Sequence, residues 1–287
     1  MRFGLIEPKT LSEASSVLAE YKDKAKIIAG GHGLLPLLKH RVIIPDCLIN
    51  IKGLPDLKYI TNGDNDLRIG ALTTHRTIEL SALIKERYPM LVELERVLGC
   101  VQTRNWATIG GNLCDATPAN DPPPAFIALG ARVKAVSVRG EREMPLDEFT
   151  VGYRKTALEA DEILVEIQVP KLPTHTGGVY HKERVRIADS PIASVAAVVS
   201  LDEGLEVVTA ARIVLQAVGP MPIRAKEAER TLVGGKVQDE LIEEVAMAAA
   251  KEARPISDVF GSAEYKKEMV KVITRQVVTQ AIKRARQ

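Results

Sequence analysis

Two double-glycine turns constrain this chain before anything else does. The stretch IIAGGHGLLPLL (27–38) runs from a short β-branched strand signal into Gly30-Gly31-His32-Gly33, then into an apolar, helix-spaced segment. A glycine turn between a strand and a helix lets backbone N–H groups approach an anion. About 80 residues on, QTRNWATIGGNLCDATPANDPPP (102–124) carries a second turn, Thr108-Ile109-Gly110-Gly111-Asn112. Two backbone nests can grip the two phosphates of one diphosphate, with the Thr108 hydroxyl and the Asn112 amide adding hydrogen bonds. Asp121, in the Pro-rich stretch just downstream, is an acceptor for ribose or adenine hydroxyl and amino groups; as a loop residue it is equally at home in water.

Neither turn is a standard nucleotide motif. A P-loop needs Gly-Lys-Ser/Thr after the glycines, and none follows. A dinucleotide fingerprint needs G-x-G-x-x-G, but Gly31-x-Gly33-x-x is followed by Pro36, and position 50, where an acidic ribose partner belongs, is Asn. A plain tight turn is the competing reading of either stretch taken alone.

The 287 residues suit two or three domains. Hydrophobic content of 46% and charged content of 26% describe an ordinary folded chain. A formal net charge of +2 gives no basic field for nucleic acid. No apolar run reaches the ~20 residues of a membrane span, and MRFGLIEPKT lacks a signal-peptide core. The expected location is cytoplasmic. Cys47, Cys100 and Cys114 are too few and too scattered for a disulfide framework, a metal site or an iron–sulfur cluster. No residue set reads as catalytic acid, base or nucleophile.

TLSEASSVLAEYKD reads as a helix with a Thr10/Glu13 capping box. KIIAG (26–30) and CLINI (47–51) read as strands of a small α/β unit. From about residue 54 the pattern changes. LRIGAL (67–72), ARVKAVSVRG (131–140) and EILVEIQVP (162–170) alternate like half-buried strands of a mainly antiparallel sheet. The phase shift at Val136 predicts a β-bulge. THRTIELSALIKERYPMLVELERVL reads as helices broken near Pro89, and KLPTHTGG (171–178) as a linker. IASVAAVVSL and TAARIVLQAV are strands around Asp202-Glu203-Gly204; from Ile223 the chain is largely helical. Trp106 is expected to pack beside the second turn, with its indole N–H partnered.

AGGHGLLP followed by TIGGN resembles the FAD-binding, medium subunits of the molybdenum hydroxylases, the family of carbon monoxide dehydrogenase and xanthine dehydrogenase. The likeness extends over nearly the whole chain, through EPKTLSEASSVLAEY, IGALTTHRTIE (69–79), RNWATIGGNLCDATPANDPPPAFIALGA (104–131), the Y-x-K-x-x-x-R run at 180–186 and AVGPMPIRAKEAE (217–229). It implies an α+β fold: a two-subdomain FAD-binding domain of the vanillyl-alcohol-oxidase/PCMH type over 1–172 (subdomains about 1–53 and 54–172), then a C-terminal α+β domain, a small antiparallel sheet and helices, over 178–287.

Carried over residue by residue, the resemblance assigns Ala29, Gly30, Gly31, His32 and Gly33 to one side of the FAD diphosphate and Thr108, Ile109, Gly110, Gly111 and Asn112 to the other. Leu34 and Thr74 line the cofactor, Asp121 contacts its adenosine half, and Leu164 and Lys182 lie near the isoalloxazine ring, where a lysine can stabilise negative charge. Position 33 departs from the family's frequent Ser or Thr, so one hydroxyl contact is lost. A Gly-Gly-His turn can carry a covalent flavin in the wider superfamily; non-covalent FAD is the expectation here, with His32 as a turn residue. Asp189-Ser190-Pro191-Ile192-Ala193 departs from the family's Asp-Ile-Ala, which leaves Asp189 without an assigned role. The implied function is an electron-transfer flavoprotein oxidoreductase subunit with no catalytic or metal-ligating residues of its own. Its implied partners are a small subunit with [2Fe–2S] clusters and a large subunit with the molybdenum cofactor, in a heterohexamer, and an external electron acceptor. The alternatives are a self-contained FAD-dependent oxidoreductase and a flavin-free scaffold.

Overall fold

The computed structural model describes residues 3–287. Its contacts divide the chain into two compact units that do not follow sequence order. The first comprises the residues up to Ile78 with Val101–Ala116 and Ala131–Val169; the second comprises Glu79–Cys100, Thr117–Gly130 and Pro170–Gln287.

Helices α1 to α8 span Leu11–Tyr21, Leu34–Lys39, His75–Leu80, Ala82–Arg87, Pro89–Val97, Val101–Trp106, Ile109–Asp115 and Pro122–Ala128. Helices α9 to α11 span Lys226–Leu232, Asp239–Glu252 and Ala263–Ala285. In the first unit, β1 (Gly4–Ile6), β2 (Ala25–Ile28) and β3 (Cys47–Asn50) form a parallel sheet in the order β1-β3-β2. Helix α1 begins at Thr10, whose Oγ1 accepts from Glu13 N at 3.1 Å, while Glu13 accepts in return from Lys9 N at 2.7 Å. The return bond of the capping box therefore falls one residue earlier than the motif places it.

The second sheet of this unit takes β4 (Ile60–Asn62), β5 (Asp66–Gly70), β6 (Arg132–Ser137), β7 (Gly140–Pro145) and β10 (Ile163–Pro170) in the order β4-β5-β10-β6-β7. A small hairpin, β8 (Thr150–Gly152) and β9 (Lys155–Thr156), stands apart. The bulge expected in β6 lies on its partner. Leu164 faces Ala135 and Glu166 faces Lys134, so Val165 is the extra residue. A phase shift records that one strand of a pair gains a residue and does not say which. β10 is also buried along both faces rather than half-buried: Glu166 and Gln168 are buried, as is Glu162 just before the strand. Glu162 accepts from Arg142, Glu166 accepts from Tyr59 and from Gln168 Nε2, and Gln168 also donates to Glu143. Leu72, Ile163 and Val165 join Ile49, Ile51, Leu54 and α1 in one apolar core.

In the second unit, β11 (Thr176–Glu183), β12 (Ala193–Leu201), β13 (Val208–Gln216) and β14 (Ile223–Arg224) form an antiparallel sheet in chain order. The strand β11 takes up Thr176, Gly177 and Gly178, so the expected linker ends earlier than its composition suggested. Helices α9, α10 and α11 cover one face around Val195, Val199, Ile213, Val245, Val270 and Val277. Helices α5 and α8 pack against the same strands, and every residue of β12 is buried as a result.

Candidate functional site

Both glycine turns belong to the first unit, and their spacing is set by main-chain contact. The chain leaves β2 through Ala29 and Gly30, and a Cβ on Gly30 would collide with the carbonyl of Trp106 and with Ala107. Only glycine lets the first turn lie on the segment leading into the second. A β-bridge between Thr74 and Thr108 ties the second turn to the start of α3. Thr74, Gly30 and Thr108 line one cavity of about 390 Å³ together with Leu72, Asn105, Trp106, Lys52 and Lys58. The two lysines give this cavity a positive rim.

The first turn is rich in unused donors. Gly31 holds φ +82°, a left-handed conformation that favours glycine. Leu35 N closes the turn onto Gly31 O at 2.9 Å. Among the described residues, the backbone N–H groups of Gly31, His32 and Gly33 donate to nothing. His32 is exposed, and Leu34 opens α2.

The second turn differs from expectation. It is the start of α7, and its N–H groups are already taken. Ile109 N donates to Thr73 O at 3.0 Å, Gly110 N to Ala71 O at 2.9 Å and Asn112 N to Thr108 O at 2.9 Å. Gly111 N donates to Thr108 Oγ1 at 3.2 Å, the N-cap bond of the helix. This turn is no second backbone nest. What it retains is the Thr108 hydroxyl proton and the close approach of Gly110, where a Cβ would strike Ala71.

Trp106 does not pack as expected. Its side chain is 55% exposed, with Lys52 Nζ 3.6 Å from the ring centroid. Thr74 Oγ1 lies 2.9 Å from Thr77 Oγ1. Leu164 is buried within β10 beside the bulge and does not line the cavity.

Asp121 and Lys182 lie in the second unit and meet. Lys182 Nζ donates to Asp121 Oδ2 at 2.7 Å, and Tyr180 Oη donates to Asp121 Oδ1 at 3.1 Å; both charged side chains are buried. Burial, and then the Asp121 carboxylate, hold the Tyr180 phenol well above its usual range, so it stays a donor. Asp121 is therefore no solvated loop residue. It stands at the N-terminus of α8, yet its carboxylate does not cap the helix. Gln216 Nε2 donates to Thr117 O at 3.3 Å and Asn120 O at 3.1 Å, which pins the loop that presents Asp121. The two residues that the resemblance assigns to the adenosine half and to the isoalloxazine ring are thus in hydrogen-bond contact with each other. The i, i+2 spacing of Tyr180 and Lys182 places them on one face of β11 and is the sequence signal that links them. Nothing of that kind flags Lys52, Lys58 or Gln216. Asp189 accepts from Arg186 N at 3.1 Å and closes its own loop.

Residues 1–172 match the model described as "FAD binding domain in molybdopterin dehydrogenase", and residues 179–281 the "CO dehydrogenase flavoprotein C-terminal domain". The chain belongs to the FAD-binding subunits of the molybdenum hydroxylases. It is 35% identical to the 6-hydroxypseudooxynicotine dehydrogenase complex subunit alpha of Paenarthrobacter nicotinovorans, over 99% of this chain and 96% of the relative. It is 33% identical to the carbon monoxide dehydrogenase medium chain of Hydrogenophaga pseudoflava, over 98% and 97%. A solved chain of carbon monoxide dehydrogenase from the same organism superposes with a TM-score of 0.95 at 34% identity, over 99% of this chain and 98% of that one. Family membership makes this chain an oxidoreductase subunit with an FAD-binding domain of α+β fold. Among the described residues, no helix is long and apolar enough to cross a membrane, and no group of three His, Cys, Asp or Glu could hold a metal ion.

Proposed function

We propose that this chain binds FAD non-covalently with the diphosphate at the two glycine turns. The observation that carries the reading is the row of three unused backbone donors at Gly31, His32 and Gly33 in a chain of this family. The residues fit the group. A diphosphate accepts from such donors and from the Thr108 hydroxyl, Gly30 and Gly110 let the two turns lie close against Trp106–Ala107 and Ala71, and Lys52 and Lys58 bring opposite charge. Ala29, Leu34, Thr74, Ile109, Gly111 and Asn112 complete the cradle, and Leu164, Asp121 and Lys182 are assigned to the same cofactor by their match to the family.

Bound FAD supplies a two-electron store that can be filled one electron at a time. The chain's own part is to bind, orient and set the charge around that store. In this reading it relays electrons from a small [2Fe–2S] partner to an external acceptor, with the molybdenum cofactor on a large partner, in a cytoplasmic heterohexamer. Relatives named as medium chains and complex subunits support an assembly of several chains. The domain division at 1–172 and 178–287 belongs to the same proposal.

The test is the absorbance spectrum of the purified chain before and after acid precipitation. A flavin spectrum that leaves with the supernatant as FAD is the expected result. A yellow pellet would mean a covalent bond, with His32 the first residue to replace. A colourless chain that takes up no added FAD would overturn the proposal.

A further inference from the structure

Gly33 ends the row of free donors, and the space beside it is filled from elsewhere. A Cβ built on Gly33 would run into the carboxylate of Asp115, at the far end of the same helix α7 that starts at the second turn. Asp115 Oδ1 accepts from Arg154 Nη1 at 2.7 Å. Arg154 sits at the tip between β8 and β9 with φ +54°, and its backbone N donates to Ala116 O at 2.8 Å. The tip is thus fixed to the end of α7 by its main chain and its side chain together. The guanidinium stands 5.7 Å over the Tyr153 ring, and its side chain is one-third exposed.

A lone carboxylate against three anion-ready N–H groups makes no sense for a phosphate site, because it would repel the ligand. Paired with an arginine it does. The guanidinium cancels the charge and carries five N–H donors, of which Asp115 holds Nη1. We propose that the Asp115–Arg154 pair is a third arm of the diphosphate cradle, bringing a cationic donor to the place where a side chain at position 33 would otherwise reach. The inference rests on the reading that the first turn holds the FAD diphosphate. It makes Arg154 a binding residue and Asp115 the residue that positions it.

The experiment measures FAD affinity of the flavin-stripped full chain by flavin fluorescence. Arg154→Ala is expected to weaken FAD about tenfold or more, since it removes a charge-assisted bond and with it the cation paired to the Asp115 carboxylate. Removing that carboxylate as well should recover part of the loss, so Asp115→Ala/Arg154→Ala should bind better than Arg154→Ala alone. A purely structural pair predicts a lower unfolding midpoint in the arginine variants, with the affinity of the folded chain for FAD unchanged. Arg154→Gln, which keeps the reach without the charge, is measured alongside in case the truncation does not fold. Wild-type affinity in the arginine variants, or a double variant weaker than the single, overturns the inference and leaves the FAD reading intact. Wild-type chain that binds no FAD overturns both.

Discussion

At Gly31, His32 and Gly33 three successive backbone N–H groups have no acceptor among the described residues, whereas at Ile109 to Asn112 four successive N–H groups all have one. The two turns share a Gly-Gly pair and lie on one cavity, yet only the first can greet an anion with its main chain. The second spends its donors on Thr73, Ala71 and Thr108 and gains rigidity from them. Alike in sequence, the two turns differ in what the main chain has to offer: the first has N–H groups to spare, and the second keeps only its side chains for a ligand. Substitutions in the first should therefore act on cofactor affinity, and substitutions in the second on folding.

The sharpest challenge to that division is Gly30, which belongs to the first turn but touches the approach to the second. Gly30→Ala forces a Cβ into the Trp106 carbonyl and is expected to cost about 2–3 kcal/mol of stability in denaturant unfolding, with loss of bound flavin. Gly111→Ala is the control within the second turn. Its new methyl meets chiefly the Thr108 hydroxyl, and helix propensity offsets the crowding, so stability should stay within about 1 kcal/mol of wild type. Equal losses in both variants would erase the distinction between the turns.

Next in size is Gly31→Ala. An alanine at φ +82° costs about 1–2 kcal/mol, and relief of that strain would rotate the free donors. The expected outcome of a flavin titration is about a tenfold weaker FAD with a smaller shift in unfolding midpoint. Thr108→Ala should lower stability by about 1 kcal/mol through the lost cap, and Thr108→Ser should restore it. If Thr108→Ala lowered affinity and left unfolding unchanged, the Thr108 hydroxyl would serve the ligand and not the helix. The smallest effect is that of salt. FAD affinity should decline gently with ionic strength, because Lys52 and Lys58 are exposed and screened.

The difference between the turns was not legible in the sequence, and the reason is physical. Gly-Gly between a hydroxyl and an amide states that the backbone approaches something closely. Whether that something is a ligand or the chain's own Ala71 depends on a partner far away along the sequence. The strands at LRIGAL and EILVEIQVP were legible because alternation is local, and so was the bulge between β6 and β10, though not which strand carries it. Asp121 was legible as a candidate but not as an ion-pair partner, since its two donors come from 59 and 61 residues away. Trp106 departs from its expected packing because Lys52 covers its ring in the open, a partner 54 positions away that no local pattern indicates. The Asp115–Arg154 pair lay outside what local pattern can reach; only the space beside Gly33 exposes it.

The contact of Gly30 with the Trp106 carbonyl has an evolutionary consequence. Main-chain atoms are the same in every residue, so a distance fixed between them is inherited without regard to which side chains flank it. Apart from the glycine itself, the surrounding positions are released to change, because the contact at 106 is made by the carbonyl and not by the exposed tryptophan ring. A lineage can rewrite the side chains around the two turns and keep the span between them, in keeping with a backbone that superposes closely on that of a relative sharing about a third of its residues.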